Sequence, residues 1–313
     1  MKNKNLKFVL SVICFIFLLL IIDFVINYIG ESLLVRLPDY ASGQIAKDNF
    51  RLNRIKTDII IVGSSRGVHH YNANQLCDSI NNYIKKDYTL YNASLDGKFL
   101  NSNLLAVESI LNRHTPKLLI LETQDSELYS YDYADVSFSS MHYYSNNIVK
   151  KYIDNIGWKE KIKNSSSLFR YNQKILSIIG AFSRSEENKD NGYLPLFGIM
   201  KIEQNQNKST NISLKINSYT LNNLYRVLDI LKKKNIPIVI ATSPKYKPTT
   251  SNKELAYICS ELNIPYIDLC DQYIFNSHAE YFQDSIHLNY NGAQIYTDMF
   301  FEQLKPYLKQ LKH

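Results

Sequence analysis

The chain has 313 residues, 45% of them hydrophobic, which provides enough apolar surface for a real core and excludes wholesale disorder. Its formal net charge is +7, but the Lys and Arg residues are scattered among Asn, Tyr and Ser. No dense basic block with interleaved aromatics occurs, so nucleic acid is not an expected partner; a basic face resting on anionic lipid or polymer, or a merely solvated surface, fits the pattern.

The N-terminus comes first in chain order. Lys2, Lys4 and Lys7 precede the apolar run "FVLSVICFIFLLLIIDFVINYIG". Phe8 to Ile29 is long enough to cross a hydrocarbon core as a helix, although Asp23 and Asn27 weaken its far end. Lysines crowded on the near side predict a cytoplasmic N-terminus and a body on the far side of the lipid bilayer. A cleaved signal peptide is the rival reading, but no small-x-small site follows the run. Cys14 follows Val-Ile rather than small residues, which argues against a lipoprotein site. Residues 1–29 are therefore read as a cytoplasmic tip and membrane anchor, and residues 30–57 as a linker with a polar helical stretch.

The remainder, 58–313, alternates short apolar runs with helical patterns. "DIIIVGSS" predicts a first strand, "NANQLCDSINNYIKK" a helix, and "YTLYNAS" a second strand ending near Asn92. "LNSNLLAVESILNRH" and "KLLILE" predict the next helix and strand. Later come helix "TLNNLYRVLDILKKKN", strand "IPIVIAT", helix "NKELAYICSELN", strand "IPYIDL" and a last helix from near Asn291. Continuous apolar strands between helices imply a mostly parallel five-stranded sheet covered on both faces. The expected fold is a three-layer α/β/α sandwich of flavodoxin-like topology. Ligands in such folds bind beyond the carboxyl ends of the strands, which gathers Ser64, Ser65, Asn92 and Glu122 at one rim. From about Tyr129 to Asn217 a Tyr-, Asn-, Ser- and Lys-rich segment interrupts the alternation. It reads as a helical insertion, either a cap that carries specificity or a structural add-on.

Cys14, Cys77, Cys259 and Cys270 show no C-x-x-C pairing, so neither a disulfide framework nor a metal site is expected, and no cofactor is implied. Cys259 and Cys270 would be able to pair only in an extracytoplasmic domain.

Chemistry concentrates in two short motifs. In "IVGSSRG", Ser65 follows the first strand at the mouth of the next helix, where backbone N–H groups suit an oxyanion. Its hydroxyl still needs a base. "FQDSIHLNYNGAQ" supplies one: His287, with Asp284 three residues before it to hold the imidazole by its other nitrogen. The competing readings are Ser65 as a helix cap, and Asp284 as a cap beside a packed His287. Gly63-Ser64-Ser65-Arg66-Gly67 also matches the G-x-S-x-G elbow, but only one strand precedes Ser65, whereas the elbow serine follows several. Arg66 would pair with an acidic substrate or form a surface salt bridge. His69, with His70, would line the site or belong to a polar helix face.

These blocks resemble those of the SGNH/GDSL-type hydrolases. "VGSSR" resembles the family's first block, with Ser65 in the nucleophile position and Ser64 in place of the usual Asp. "YNASLDG" resembles the second block, by which the Gly97 N–H would join the oxyanion hole, and "DSIHLN" followed by Gly292-Ala293 resembles the last. The third block departs: the family's Gly-x-Asn-Asp is replaced by "LETQDSELY", where Gln124 is the nearest amide. The resemblance spans 58–122 and 216–310. It implies a serine acyl ester hydrolase or O-acyltransferase acting on acylated cell-envelope polysaccharide or glycan. A transferase would need a multi-spanning membrane acyltransferase as partner. A non-catalytic scaffold or glycan-binding protein that kept the fold is the alternative.

Overall fold

The computed structural model describes residues 2–38, 43–129, 133–172, 174–183, 190–201, 215–248 and 251–311. Residues 39–42 of the predicted linker, and 130–132, 173, 184–189 and 202–214 of the predicted insertion, lie outside the described residues. In chain order the elements begin with helices α1 (Lys2–Arg36) and α2 (Gln44–Asn53), strand β1 (Ile59–Val62), and helices α3 (Ser65–His70) and α4 (Ala73–Ile84). Strand β2 (Leu90–Asn92), helix α5 (Leu100–Leu111), strand β3 (Leu118–Glu122) and helix α6 (Asp125–Leu128) follow. The inserted region carries α7 (Tyr133–Ser140), α8 (Asn147–Asp154), α9 (Trp158–Ser165), α10 (Ser167–Tyr171) and α11 (Lys174–Phe182). The chain closes with α12 (Ser218–Lys233), β4 (Ile238–Thr242), α13 (Lys253–Glu261), β5 (Tyr266–Asp268), α14 (Tyr273–Asn276) and α15 (Tyr290–Leu308).

Internal packing distinguishes two units, one of Met1–Asn49 with Val136–Glu186, the other of Phe50–Asp135 with Glu187–His313. This differs from the sequence reading at two points. Helix α1 runs past Ile29 to Arg36, and residues 136–186 belong to the unit of α1. Among the described residues one helix, α1 of the first unit, is long and apolar enough to cross a membrane, which a signal sequence would also be.

The second unit holds a five-stranded sheet in the order β2-β1-β3-β4-β5, every neighbouring pair parallel. This is the expected flavodoxin-like α/β order, whose direction of winding reverses at β1 and β3. Ile59 to Val62 and Leu118 to Leu121 are fully buried, which explains why these strands read as unbroken apolar runs. Alternate residues Ile59, Ile61, Leu118, Ile120, Val239 and Ala241 face a core shared with Leu76 and Ile80 of α4 and Tyr296, Phe300 and Leu304 of α15. Helices α5 and α12 pack on each other. Asparagines cap α4 and α15: Asn72 Oδ1 accepts the Gln75 N–H at 3.2 Å, and Asn289 Oδ1 accepts that of Gly292 at 3.1 Å. All four cysteines carry free thiols.

Close approach at the top of the sheet depends on two glycines. A Cβ at Gly63 would lie 2.7 Å from the Glu122 Cβ, and one at Gly67 would lie 2.3 Å from Ser94 Oγ and 2.8 Å from Ser94 Cβ. Gly67→Ala is therefore expected to destabilise the protein by about 1–3 kcal/mol through overpacking, despite alanine's better helix propensity. Adding Ser94→Gly should recover much of that loss. Chemical denaturation of the two variants, read as a double-mutant cycle, checks the coupling.

Candidate active site

Strand β1 ends at Val62, and the chain turns through Gly63 and Ser64 directly into the six-residue α3. Ser65 is the first residue of that helix, not its cap; Ser64 holds the cap position and makes no side-chain capping bond. The half-buried Ser65 hydroxyl points instead at His287, with Oγ and Nε2 2.7 Å apart. The other ring nitrogen, Nδ1, lies 2.8 Å from Asp284 Oδ2. A carboxylate there can only accept, so Nδ1 carries the proton and Nε2 presents a lone pair to the serine hydroxyl.

Asp284 organises its own turn. Its Oδ1 accepts the N–H groups of Ile286 and His287, both at 2.9 Å. Burial pushes its carboxyl up, but the His287 bond and the Ile286 and His287 N–H groups outweigh that and hold it below the ordinary 3.8. The turn is closed at its base, where Gln283 N–H donates to the His287 carbonyl at 2.9 Å and Phe282 bridges Leu288. Both bridging residues are fully buried, so the loop that presents the imidazole is anchored in the core.

Beneath the serine lies a buried polar chain. Leu288 N–H donates to His70 Nε2 at 3.0 Å, which leaves His70 Nδ1–H to donate to Ser243 Oγ at 2.8 Å. Ser243 in turn donates to Glu122 Oε1 at 2.8 Å. Tyr71 donates its hydroxyl to the other Glu122 oxygen at 2.6 Å, and the Arg66 guanidinium sits 3.2 Å from Oε1. The chain thus runs from the end of β3, past the end of β4, through α3, to the residue that follows His287. Burial pushes Glu122 up, opposed by Arg66, Tyr71 and Ser243, and it pushes the His70 imidazole well below 6.5, with Arg66 adding to the effect.

The structure brings four predicted site residues together: Ser65, His287, Asp284 and His69. The His69 ring meets His287 edge-on at 5.6 Å, with Nδ1–H donated to the Leu194 carbonyl at 2.6 Å and Nε2 3.0 Å from Asp96. Two predicted substrate contacts are corrected. Arg66 is buried, and its guanidinium is committed to Glu122 and to the Ser243 carbonyl at 3.0 Å, so it faces neither an acidic substrate nor the surface. Asn92 is buried too; its amide donates to the Gly67 carbonyl at 2.7 Å and the Tyr71 carbonyl at 3.3 Å, tying α3 to β2. Gly97 turns the loop after β2 at φ +67° with open space at its Cβ position. Gln124 occupies the cap position of α6 in extended backbone and makes no side-chain capping bond. Sequence reasoning placed Glu122 at the rim but gave it no role, and it did not single out Ser243. A carboxylate closing an otherwise apolar strand is the signal, since a buried charge needs partners, and Arg66 and Tyr71 lie on the neighbouring helix and just past it. Among the described residues no cluster of three or more His, Cys, Asp or Glu could hold a metal.

His70 provides a pH test. Its folded form binds a proton only well below 6.5, so the unfolded chain takes up protons first as pH falls, and stability drops below about pH 6.5. The slope attributable to one such group is about 1.4 kcal/mol per pH unit. Urea unfolding between pH 7 and 5 should therefore show a shallower pH dependence in His70→Gln than in the wild type, on top of a general loss of stability.

No family model and no curated protein matches the chain. Solved structures with a likeness to it include an assigned acylhydrolase from Bacteroides fragilis, at 10% identity and a TM-score of 0.38, covering 85% of this chain and 95% of that one. A protein assigned to the lipolytic G-D-S-L family of Desulfitobacterium hafniense has 8% identity and a TM-score of 0.38, over 79% of this chain and 99% of its own. A GDSL-like lipase from Bacteroides thetaiotaomicron has 10% identity and a TM-score of 0.36, over 81% and 88%. The chemistry of the site rests on the geometry of Ser65, His287 and Asp284.

Proposed function

We propose that this chain is an SGNH-type serine acyl hydrolase or O-acyltransferase whose nucleophile is Ser65. The observation that carries the reading is the continuous pair of hydrogen bonds Ser65–His287–Asp284, made by side chains 222 and 3 residues apart in sequence. The Ser65 oxygen attacks an ester carbonyl carbon while its proton passes to His287 Nε2, leaving a tetrahedral oxyanion and an imidazolium steadied by Asp284. Collapse of that intermediate breaks the ester C–O bond. Nε2 returns the proton to the departing alkoxide, and an acyl-serine remains. Water then attacks with the same base to complete hydrolysis, or a sugar hydroxyl attacks to complete transfer. The Gly97 N–H and the Gln124 amide are the oxyanion donors by this reading, and the half-exposed Asp284 turn leaves the carbonyl an approach from solvent.

The remaining parts of the proposal follow from the N-terminal helix. Helix α1 serves as an uncleaved anchor with its lysine-bearing end in the cytoplasm, so the catalytic unit works on acylated carbohydrate of the cell envelope. A transferase role requires an acyl donor delivered by a multi-spanning membrane partner. One observation favours a second, non-catalytic reading as a scaffold or glycan-binding protein: the block after β3 departs from that of the resembling hydrolases, with Glu122 wholly engaged by Arg66, Tyr71 and Ser243 and the longer Gln124 as the nearest amide.

Stopped-flow kinetics with an activated acetyl ester separate the two readings. The enzyme reading predicts a burst of one equivalent of alcohol, abolished by Ser65→Ala. Asp284→Asn should lower kcat by about 100- to 10,000-fold, because the imidazole then adopts the wrong tautomer. Absence of any burst in the wild-type protein, with carbohydrate binding retained in Ser65→Ala, would instead support the binding protein.

A further inference from the structure

Within the first unit, helix α1 has two unlike sides beyond Ile22. Asp23, Asn27 and Glu31 recur every four residues and so form one stripe. Each is taken up by the inserted region. Asp23 Oδ1 accepts the Ser166 hydroxyl at 2.7 Å and the Leu168 N–H at 2.8 Å, and Asn27 Oδ1 accepts from Arg170 at 2.8 Å. Glu31 accepts the Ser145 hydroxyl. Gly30 lies on the same side, where a Cβ would meet the Tyr171 ring at 2.3 Å. The rest of the circumference there includes apolar, uncovered positions, with Phe24 72% and Tyr28 71% exposed.

Helix α10, which receives most of the stripe, and its neighbours α9 and α11 are themselves apolar outward. Leu176, Ile179 and Phe182 recur every three residues on α11 and are exposed, while Ile178 and Ala181 face inward. Leu168 and Phe169 of α10 are exposed, as are Trp158 and Ile162, one turn apart on α9. Lys159, Lys161 and Lys163 of α9 are exposed beside them. Such a concentration of large apolar side chains marks a surface that meets something other than water.

Length identifies what it meets. Asp23 lies fifteen residues past Phe8, about 22 Å along the helix axis, against a hydrocarbon core of about 30 Å. With Phe8 at the inner boundary, Asp23 is still about 8 Å inside the outer one. An ionisable group at that depth needs polar partners, and the partners it has are the start of α10. Helix α10 therefore shares the depth of Asp23.

We propose that α9, α10 and α11 form a collar seated in the outer leaflet around α1, with Leu168, Phe169, Leu176, Ile179 and Phe182 among the acyl chains. Trp158 and the α9 lysines lie at the headgroups, against anionic phosphates. The inference rests on α1 being a retained membrane span, and it makes the bilayer itself, rather than a partner protein, the occupant of the apolar face.

Trp158 is the single tryptophan of the chain, so fluorescence of the full-length protein reconstituted into phosphatidylcholine–phosphatidylglycerol vesicles reads α9 directly. In a Trp158→Phe background, Phe15→Trp reports on α1, while Leu176→Trp and Ile179→Trp report on α11; all three positions are exposed and tolerate the change. With lipids brominated at known depths, the account expects Phe15→Trp to lose most of its emission to deep bromines. The two α11 probes should lose theirs to bromines in the outer part of the chains and resist aqueous iodide. Trp158 should respond to the shallowest bromines. Quenching of Phe15→Trp with iodide-accessible α11 probes would overturn the collar while leaving the anchor intact. No quenching of Phe15→Trp would remove the anchor and the collar together. Protection of the α11 probes in native membranes but not in vesicles that hold no other protein would assign the face to a protein and overturn the inference.

Discussion

The 2.7 Å contact between Ser65 Oγ and His287 Nε2 is the constraint on which the second unit is organised. The two residues are 222 positions apart, so the contact exists only if the sheet, α3 and the last loop are all in register. Short parallel strands supply the first requirement, because full burial of Ile59 to Val62 against β2 and β3 leaves the chain one place to end: above the winding switch of the sheet. The loop supplies the second. Phe282 and Leu288 sink into the core on either side of it, and Asp284 folds the intervening residues with its own carboxylate.

The buried chain from Glu122 to the Leu288 N–H adds what apolar packing cannot, a directional link between the nucleophile's helix and the base's loop. Apolar contacts tolerate small slides, whereas hydrogen bonds weaken steeply with angle and distance. His70, Ser243 and Glu122 each have hydrogen-bond partners within the protein, and the single carboxylate has a guanidinium, whose Nη2 makes the ion pair but no hydrogen bond. Removing one member leaves a buried group unpaired at about 1–3 kcal/mol, more for a charge. The same arrangement explains why Arg66 is unavailable to a substrate: its charge opposes the burial that pushes the Glu122 carboxyl up.

Much of this was legible in the sequence, and the limits have physical causes. The five strands are short, largely apolar runs, the first followed by Gly63 and the others ending in Asn, Glu, Thr or Asp, and their positions follow from that punctuation. Ser65, Asp284 and His287 were recognisable because a three-residue offset and a strand-to-helix turn are local geometries. Arg66 and Asn92 were misjudged for the opposite reason. Whether a polar side chain faces a ligand or a neighbour depends on a partner remote in sequence, Glu122 for one and the α3 carbonyls for the other. The grouping of residues 136–186 with α1 was hidden for the same reason, since the pairs Asp23–Ser166 and Asn27–Arg170 join segments 143 residues apart.

The central claim is that Ser65 is a nucleophile made reactive by His287, and its most direct measurement is covalent. Treatment with a fluorophosphonate, followed by digestion and mass spectrometry, should find one adduct, on the peptide containing Ser65. His287→Ala should remove the adduct while the protein remains folded by circular dichroism. An unmodified Ser65 in the wild-type protein, or equal labelling in His287→Ala, would contradict the account.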